Sequence, residues 1–249
     1  MKIYKFVQVS ATVAVFASAL LAQPASAQVQ IYSSGHGDIG VGYDAGEFDP
    51  HWHLGSGATV DGSPLAVEEE FAPGDINARA SATRTSPIGL SGAIGVADGT
   101  AIYAMGSATY QPNLGFAVEE LAPGDWSGNI TITLTSWTVP TGAGFSLYTT
   151  NLSGTTVVDI LFSTVDEVST YASNSFTMVP GSHSHFQWGF TDVGTYTFDF
   201  TWSGDNVNDG TISTPGSFSV QVIPEPSTVA MLGLGLLGAI ALFRRRMRP

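Results

Sequence analysis

The chain contains no cysteine. Disulfides, thiol nucleophiles and cysteine-based metal sites are therefore excluded, so a bound metal must rely on imidazole nitrogen and oxygen. Positive charge is almost as scarce. Of eight lysines and arginines, Lys2, Lys5, Arg244, Arg245, Arg246 and Arg248 lie at the two ends, leaving Arg79 and Arg84 between them. Of the 21 acidic residues only Glu225 falls in those ends, so the central part sets two positive charges against twenty negative, about −18. Nucleic acid is excluded as a partner, because phosphate binding needs lysine and arginine. An acidic surface suits solubility outside a cell and attracts cations. Long helical periodicity is missing, as are an H-E-x-x-H zinc helix and a G-x-S-x-G nucleophile elbow. Ser184 sits between histidines, but no third residue completes a triad.

Both ends carry sorting information. A basic start, Met1-Lys2-Ile3-Tyr4-Lys5, precedes the apolar stretch Val7 to Leu21 and the small-residue site Ala25-Ser26-Ala27. That order is a secretory signal peptide, cut by signal peptidase after Ala27. At the other end Val222-Ile223-Pro224-Glu225-Pro226-Ser227 leads into an apolar run from Thr228 to Phe243, closed by Arg244-Arg245-Arg246. The run is short against the roughly 20 residues of a usual bilayer span. It predicts a short transmembrane helix over 228–243, with Gly233, Gly235 and Gly238 as contact positions and the arginines cytoplasmic. An ordinary proline-collared anchor has similar ingredients. The Pro-Glu-Pro triplet, the span and the basic cluster together resemble the PEP-CTERM sorting signal of Gram-negative, exopolysaccharide-producing bacteria. This resemblance implies cleavage by an exosortase near Pro224, Glu225 and Pro226. It also implies transient anchorage in the inner membrane and a final place at the cell surface or in the extracellular matrix.

Between the sorting segments, residues 28–222 read as all-β. Tyr196, Phe198, Phe200 and Trp202 alternate with Thr197, Asp199 and Thr201, and Ile130, Ile132 and Leu134 alternate with threonines. Such alternation puts the large side chains on one face of a strand. Further strands are predicted at 29–32, 101–105, 145–148, 157–162, 186–190 and 218–222. Polar and glycine-rich breaks separate them, such as Ser203-Gly204-Asp205-Asn206 and Thr214-Pro215-Gly216. Leu65–Phe71 has room for a helical turn or two. The series indicates an immunoglobulin-like or Greek-key β-sandwich, most immunoglobulin-like after Thr177. It forms one domain, or two subdomains with a break near 125–180. An internal echo pairs Ala66-Val67-Glu68-Glu69-Glu70-Phe71-Ala72-Pro73-Gly74-Asp75 with Ala117-Val118-Glu119-Glu120-Leu121-Ala122-Pro123-Gly124-Asp125, about 50 residues apart. A duplicated unit and convergent turn chemistry both account for it. Its glutamates offer oxygen to calcium, but no D-x-D-x-D-G loop accompanies them.

The chemistry lies in the histidines. All five fall in three short clusters, His36-Gly37-Asp38, His51-Trp52-His53 and His183-Ser184-His185. On a strand, residues i and i+2 face the same side about 6.6 Å apart. Two such pairs from different strands can supply a four-coordinate site, completed or extended by His36 or Asp38. Zinc takes nitrogen and carboxylate ligands tetrahedrally, and copper(II) or nickel accept the same donors. Against this stands the reading that the histidines are unrelated polar positions.

A second resemblance bears on the choice. His183-Ser184-His185-Phe186-Gln187-Trp188-Gly189-Phe190-Thr191, followed by Gly194-Thr195-Tyr196, is similar to the H-x-H-x-x-W-x-F-T…G-x-Y signature of surface-anchored choice-of-anchor M domains. Gly35-His36-Gly37-Asp38-Ile39 resembles the G-H-x-D-I opening of the same group. The resemblance implies zinc-repressed expression and association with zinc or manganese uptake systems. It implies His36, His183 and His185 as ligands, with His51 and His53 matching a further histidine-rich segment. The expectation is thus an exported protein that captures, buffers or hands over zinc or another divalent transition metal, without catalysis. Two alternatives stand beside it. One is a structural or adhesive matrix protein, with exopolysaccharide as partner and Trp52, Trp126, Trp137, Trp188 and Trp202 as candidate sugar-stacking platforms, although strong strand patterns assign Trp188 and Trp202 to the core. The other is a zinc hydrolase using Asp38, Glu47 or Asp49 as general base.

Overall fold

The computed structural model describes residues 28–165 and 174–224. The signal segment 1–27 and the apolar tail 228–243 lie outside the described residues. Among the described residues no helix is long and apolar enough to cross a membrane. Nearly all regular structure among the described residues is β. Its first strands are β1 (Gln30–Ser34), β2 (His36–Asp44), β3 (Glu47–Leu54), β4 (Thr59–Val60), β5 (Ser63–Pro64) and β6 (Glu69–Phe71). Then come β7 (Ile76–Ala80), β8 (Thr83–Thr85), the short helix α1 (Ser91–Ile94), β9 (Ala101–Met105) and β10 (Asn113–Ala117). After these follow β11 (Ile130–Thr138), β12 (Phe145–Thr150), β13 (Val157–Ser163) and β14 (Ser175–Met178). The series ends with β15 (His183–His185), β16 (Gln187–Phe190), β17 (Gly194–Asn206) and β18 (Gly210–Val222).

Three sheets result. The largest has the order β14-β11-β17-β18-β7-β1-β4-β5, and two five-stranded sheets run β15-β10-β2-β3-β6 and β13-β12-β16-β9-β8. Aromatic rings join all three. Trp52 on β3 meets Phe218 on β18 edge to face at 5.2 Å, and Phe116 on β10 meets Phe200 on β17 at 5.2 Å. From the third sheet Phe145 approaches Phe198 at 4.3 Å, and Trp188 stacks on Phe116 at 5.7 Å. Tyr196, Phe198, Phe200 and Trp202 are all fully buried, as their alternation predicts. The main core draws on residues before, within and after the stretch 125–180.

Several local expectations change. β17 runs through Ser203–Asn206, and β18 runs through Pro215 and Gly216. The turn lies between Asn206 and Gly210, where the Asn206 side chain accepts the amides of Asn208 and Asp209 and Gly210 has φ +77°. Pro215 pairs with Thr201 on one side, whereas β7 joins the other side of β18 only at Val220–Val222. Its missing amide therefore breaks no ladder there. Leu65–Phe71 yields no helix. Its second half is β6, because pairing with Trp52–Leu54 outweighs a weak helical tendency. Two pairings of the large sheet, β1–β7 and β7–β18, are parallel, as is β2–β10 in the second sheet.

Candidate functional site

All five histidines sit on one sheet, β15-β10-β2-β3-β6. Register places them on one face. Gly115 of β10 pairs with His185 of β15 on one side and Asp38 of β2 on the other. Asp38 in turn pairs with His53 of β3, and His53 with Glu70 of β6. Directly paired residues share a face, so these five make one row across the sheet. In the adjacent row His183 pairs with Ala117, and His51 with Gly40. The intervening residues Ile39, Trp52 and Phe116 point the other way and are buried in the core.

Bare backbone floors this face. A Cβ added at Gly115 would press into Asp38 Oδ1, lie 2.6 Å from the Ser184 carbonyl oxygen and 3.1 Å from His185 Nδ1. One at Gly40 would lie 2.9 Å from His51 Nε2, and one at Gly42 would lie 2.8 Å from Glu120 Oε2. Side chains at these positions would fill the space that the imidazoles and carboxylates occupy.

Two separate groups form on the floor. In the first, one ring nitrogen each from His36, His183 and His185 lies within 4.8 Å of the others. The His36 ring is 4.8 Å from that of His185 and 5.6 Å from that of His183. Asp38 lies beneath them and is 1% exposed. Its Oδ2 is 3.2 Å from His36 Nε2, and its Oδ1 is 3.8 Å from His185 Nε2. Glu119 hydrogen-bonds His183 Nδ1 from the outside. Hydrogen bonding to Asp38 raises the His36 pKa, whereas burial lowers that of His185 and favours its neutral form. Neutral imidazole is the state that ligates metals.

Asp38 Oδ1 and both ring nitrogens of His185 are buried without a hydrogen-bond partner. Leaving a buried polar group unpaired costs about 1–3 kcal/mol. Three such atoms side by side call for an explanation. A cation answers for two of them, Asp38 Oδ1 and one His185 nitrogen, because it accepts lone pairs from carboxylate and imidazole together. The other His185 nitrogen carries the ring proton. Tetrahedral zinc with bonds near 2.0–2.1 Å keeps its ligand atoms about 3.3 Å apart. The three ring nitrogens lie within 4.8 Å of one another, so the gap to that distance is at most about 1.5 Å.

The second group contains His51, His53, Glu70 and Glu120, again with one ligand atom each within 4.8 Å of the rest. Glu120 Oε1 is 2.9 Å from His51 Nε2 and 3.7 Å from His53 Nδ1, and Glu68 Oε1 is 3.0 Å from His53 Nε2.

The two H-x-H pairs therefore do not meet at one four-coordinate site. β10 and β2 lie between β15 and β3, a backbone separation of roughly 14 Å at the usual strand spacing. His36 joins His183 and His185, while His51 and His53 gather glutamates. Glu47 and Asp49 belong to neither group, and the Asp49 carbonyl instead holds His51 Nδ1 at 2.9 Å. Trp52, Trp126, Trp188 and Trp202 are buried and Trp137 is half-buried against the core, so the first four offer no face to a sugar. The sequence alone does not place Glu68, Glu70, Glu119 and Glu120 on the metal face. The echo that contains them was the available signal: its first copy supplies Glu68 and Glu70, its second Glu119 and Glu120.

The sorting segment begins where the fold ends. Residues 222–246 match the PEP-CTERM protein-sorting motif. Val222 is the buried last residue of β18, Ile223 donates its amide to the Ala80 carbonyl at 3.0 Å, and Pro224 is exposed. Glu225 and Pro226, like Ala27, lie outside the described residues. The motif marks an exported protein that is anchored for sorting, processed by an exosortase and destined for the surface or the extracellular space. No curated protein and no solved structure matches the chain.

Proposed function

We propose that this exported chain binds a divalent transition-metal ion, zinc foremost, at His36, His183, His185 and Asp38, and that it captures, buffers or hands over the ion without catalysis. The supporting observation is the pair of buried, unpartnered atoms Asp38 Oδ1 and His185 Nε2, 3.8 Å apart and packed over the bare Gly115. Three imidazoles and a carboxylate are a donor set that zinc accepts. Copper(II) and nickel accept it too, so supply and geometry choose among them. Glu119 would act behind the ligands, fixing the orientation of the His183 ring. Kinship with choice-of-anchor M domains belongs to this proposal, as does an immunoglobulin-like or Greek-key scaffold. The long β17–β18 hairpin supports that scaffold, and the parallel pairs depart from it.

The test is metal analysis of the full chain purified in detergent, as isolated and after zinc loading. Zinc should be retained through dialysis and displaced by copper(II) in competition. A metal-free protein that takes up no zinc would overturn the reading and favour the matrix alternative. Turnover of a hydrolysable substrate, lost on chelation and restored by zinc, would overturn the non-catalytic part.

A further inference from the structure

We infer that His51, His53, Glu70 and Glu120 form a second ion site, independent of the first and built from harder donors. His51 is the central residue of this group. Its side chain is 7% exposed, and its Nδ1 lies 2.9 Å from the Asp49 carbonyl oxygen. A carbonyl only accepts, so Nδ1 carries a proton, which leaves Nε2 as the ring atom free to ligate. That Nε2 has no hydrogen-bond partner, yet Glu120 Oε1 lies 2.9 Å away. Two acceptors at this distance repel each other unless a positive charge lies between or beside them.

A proton on Nε2 or a bound cation supplies that charge, and no lysine or arginine does. Arg79 and Arg84 are the only lysines or arginines in the central chain. Arg84 is engaged elsewhere, with the Gln187 side chain and the Gly154 carbonyl, and Arg79 lies on β7 of the large sheet. Meanwhile His53 and Glu70 direct ligand atoms to the same point, and Gly40 and Gly42 leave the backbone beneath it open. Two imidazole nitrogens and two carboxylate oxygens suit zinc and admit manganese more readily than three imidazoles with one carboxylate. The carboxylates reach in from exposed segments, so this site orders more chain on binding and holds its ion more weakly than the first. One face thus offers two ions different grips, which gives a surface protein a tight store and an exchangeable position.

The test uses the full chain in detergent, titrated with zinc alone and with manganese alone. Wild type should take two zinc ions, the second at least about tenfold more weakly, and manganese should enter only the weaker site. Glu120→Gln should reduce the zinc count to one, yet it should leave the metal-free fold as stable as before, because the new amide N–H can donate to His51 Nε2. The double variant His183→Ala, His185→Ala should also bind one zinc, now at the second site. A wild-type count of one that only the His183 and His185 changes remove would overturn the inference and leave the first site standing. So would a count of two that Glu120→Gln leaves intact. Loss of metal-free stability in Glu120→Gln would instead identify a protonated His51 paired with Glu120, and would likewise overturn it. Absence of any bound zinc in wild type would sink both readings.

Discussion

Replacing His183 and His185 together with alanine should weaken zinc binding at the first cluster by about 1000-fold or more, some 4 kcal/mol. Two of its three imidazoles would be gone, leaving His36 and a carboxylate. The fold should not follow, because β15 is an edge strand whose residues are exposed or half-buried. Substitutions at such positions typically change stability by no more than about 0.5 kcal/mol. Calorimetric titration against a chelator of known affinity would measure the binding loss, and a thermal melt without metal would show whether structure was spared. Zinc affinity at the first cluster unchanged within a factor of ten would mean that the histidines are bystanders.

Trp188→Ala should have the largest effect on stability, about 3–5 kcal/mol for a fully buried aromatic. The ring stacks on Phe116 at 5.7 Å, approaches Phe145 at 5.5 Å, and donates its Nε1 hydrogen to the Leu114 carbonyl at 3.1 Å. Leu114 and Phe116 flank Gly115, the floor of the first cluster. The tryptophan therefore supports the metal face from the core side. Trp188→Phe should cost less, since most of the packing survives while the Leu114 carbonyl loses its donor, a deficit of about 1–3 kcal/mol. Urea unfolding of the two variants beside wild type would rank them. Equal stability of Trp188→Ala and wild type would remove Trp188 from the core account.

The apolar half of this arrangement could be read directly from the sequence. Alternation of large apolar and small polar side chains marks the strands around 130–135 and 196–202, and apolar runs mark 101–105, 145–148 and 157–162. Each lies inside an observed strand, short of its ends by no more than four residues. The functional half was harder for a physical reason. β2 reads His-Gly-Asp-Ile-Gly-Val-Gly-Tyr-Asp, with glycine where strand propensity asks for bulk. The bare positions Gly40 and Gly42 make room for His51 and Glu120, so what weakens the strand signal serves the site. Spacing did identify the histidines as candidates. It could not say which pairs meet, because that depends on β10 entering parallel to β2 and antiparallel to β15, a register set by long-range pairing. The glutamates were visible as an echo and read as turn composition or calcium ligands. Their destination beside imidazoles follows only from the sheet order.

Anomalous diffraction at the zinc edge, from a crystal of the zinc-loaded chain, tests the central claim most directly. A strong peak is expected within bonding distance of ring nitrogens of His36, His183 and His185, above Gly115 and beside Asp38. A well-ordered zinc-loaded crystal with those three imidazoles turned apart, and no peak between them, would contradict it.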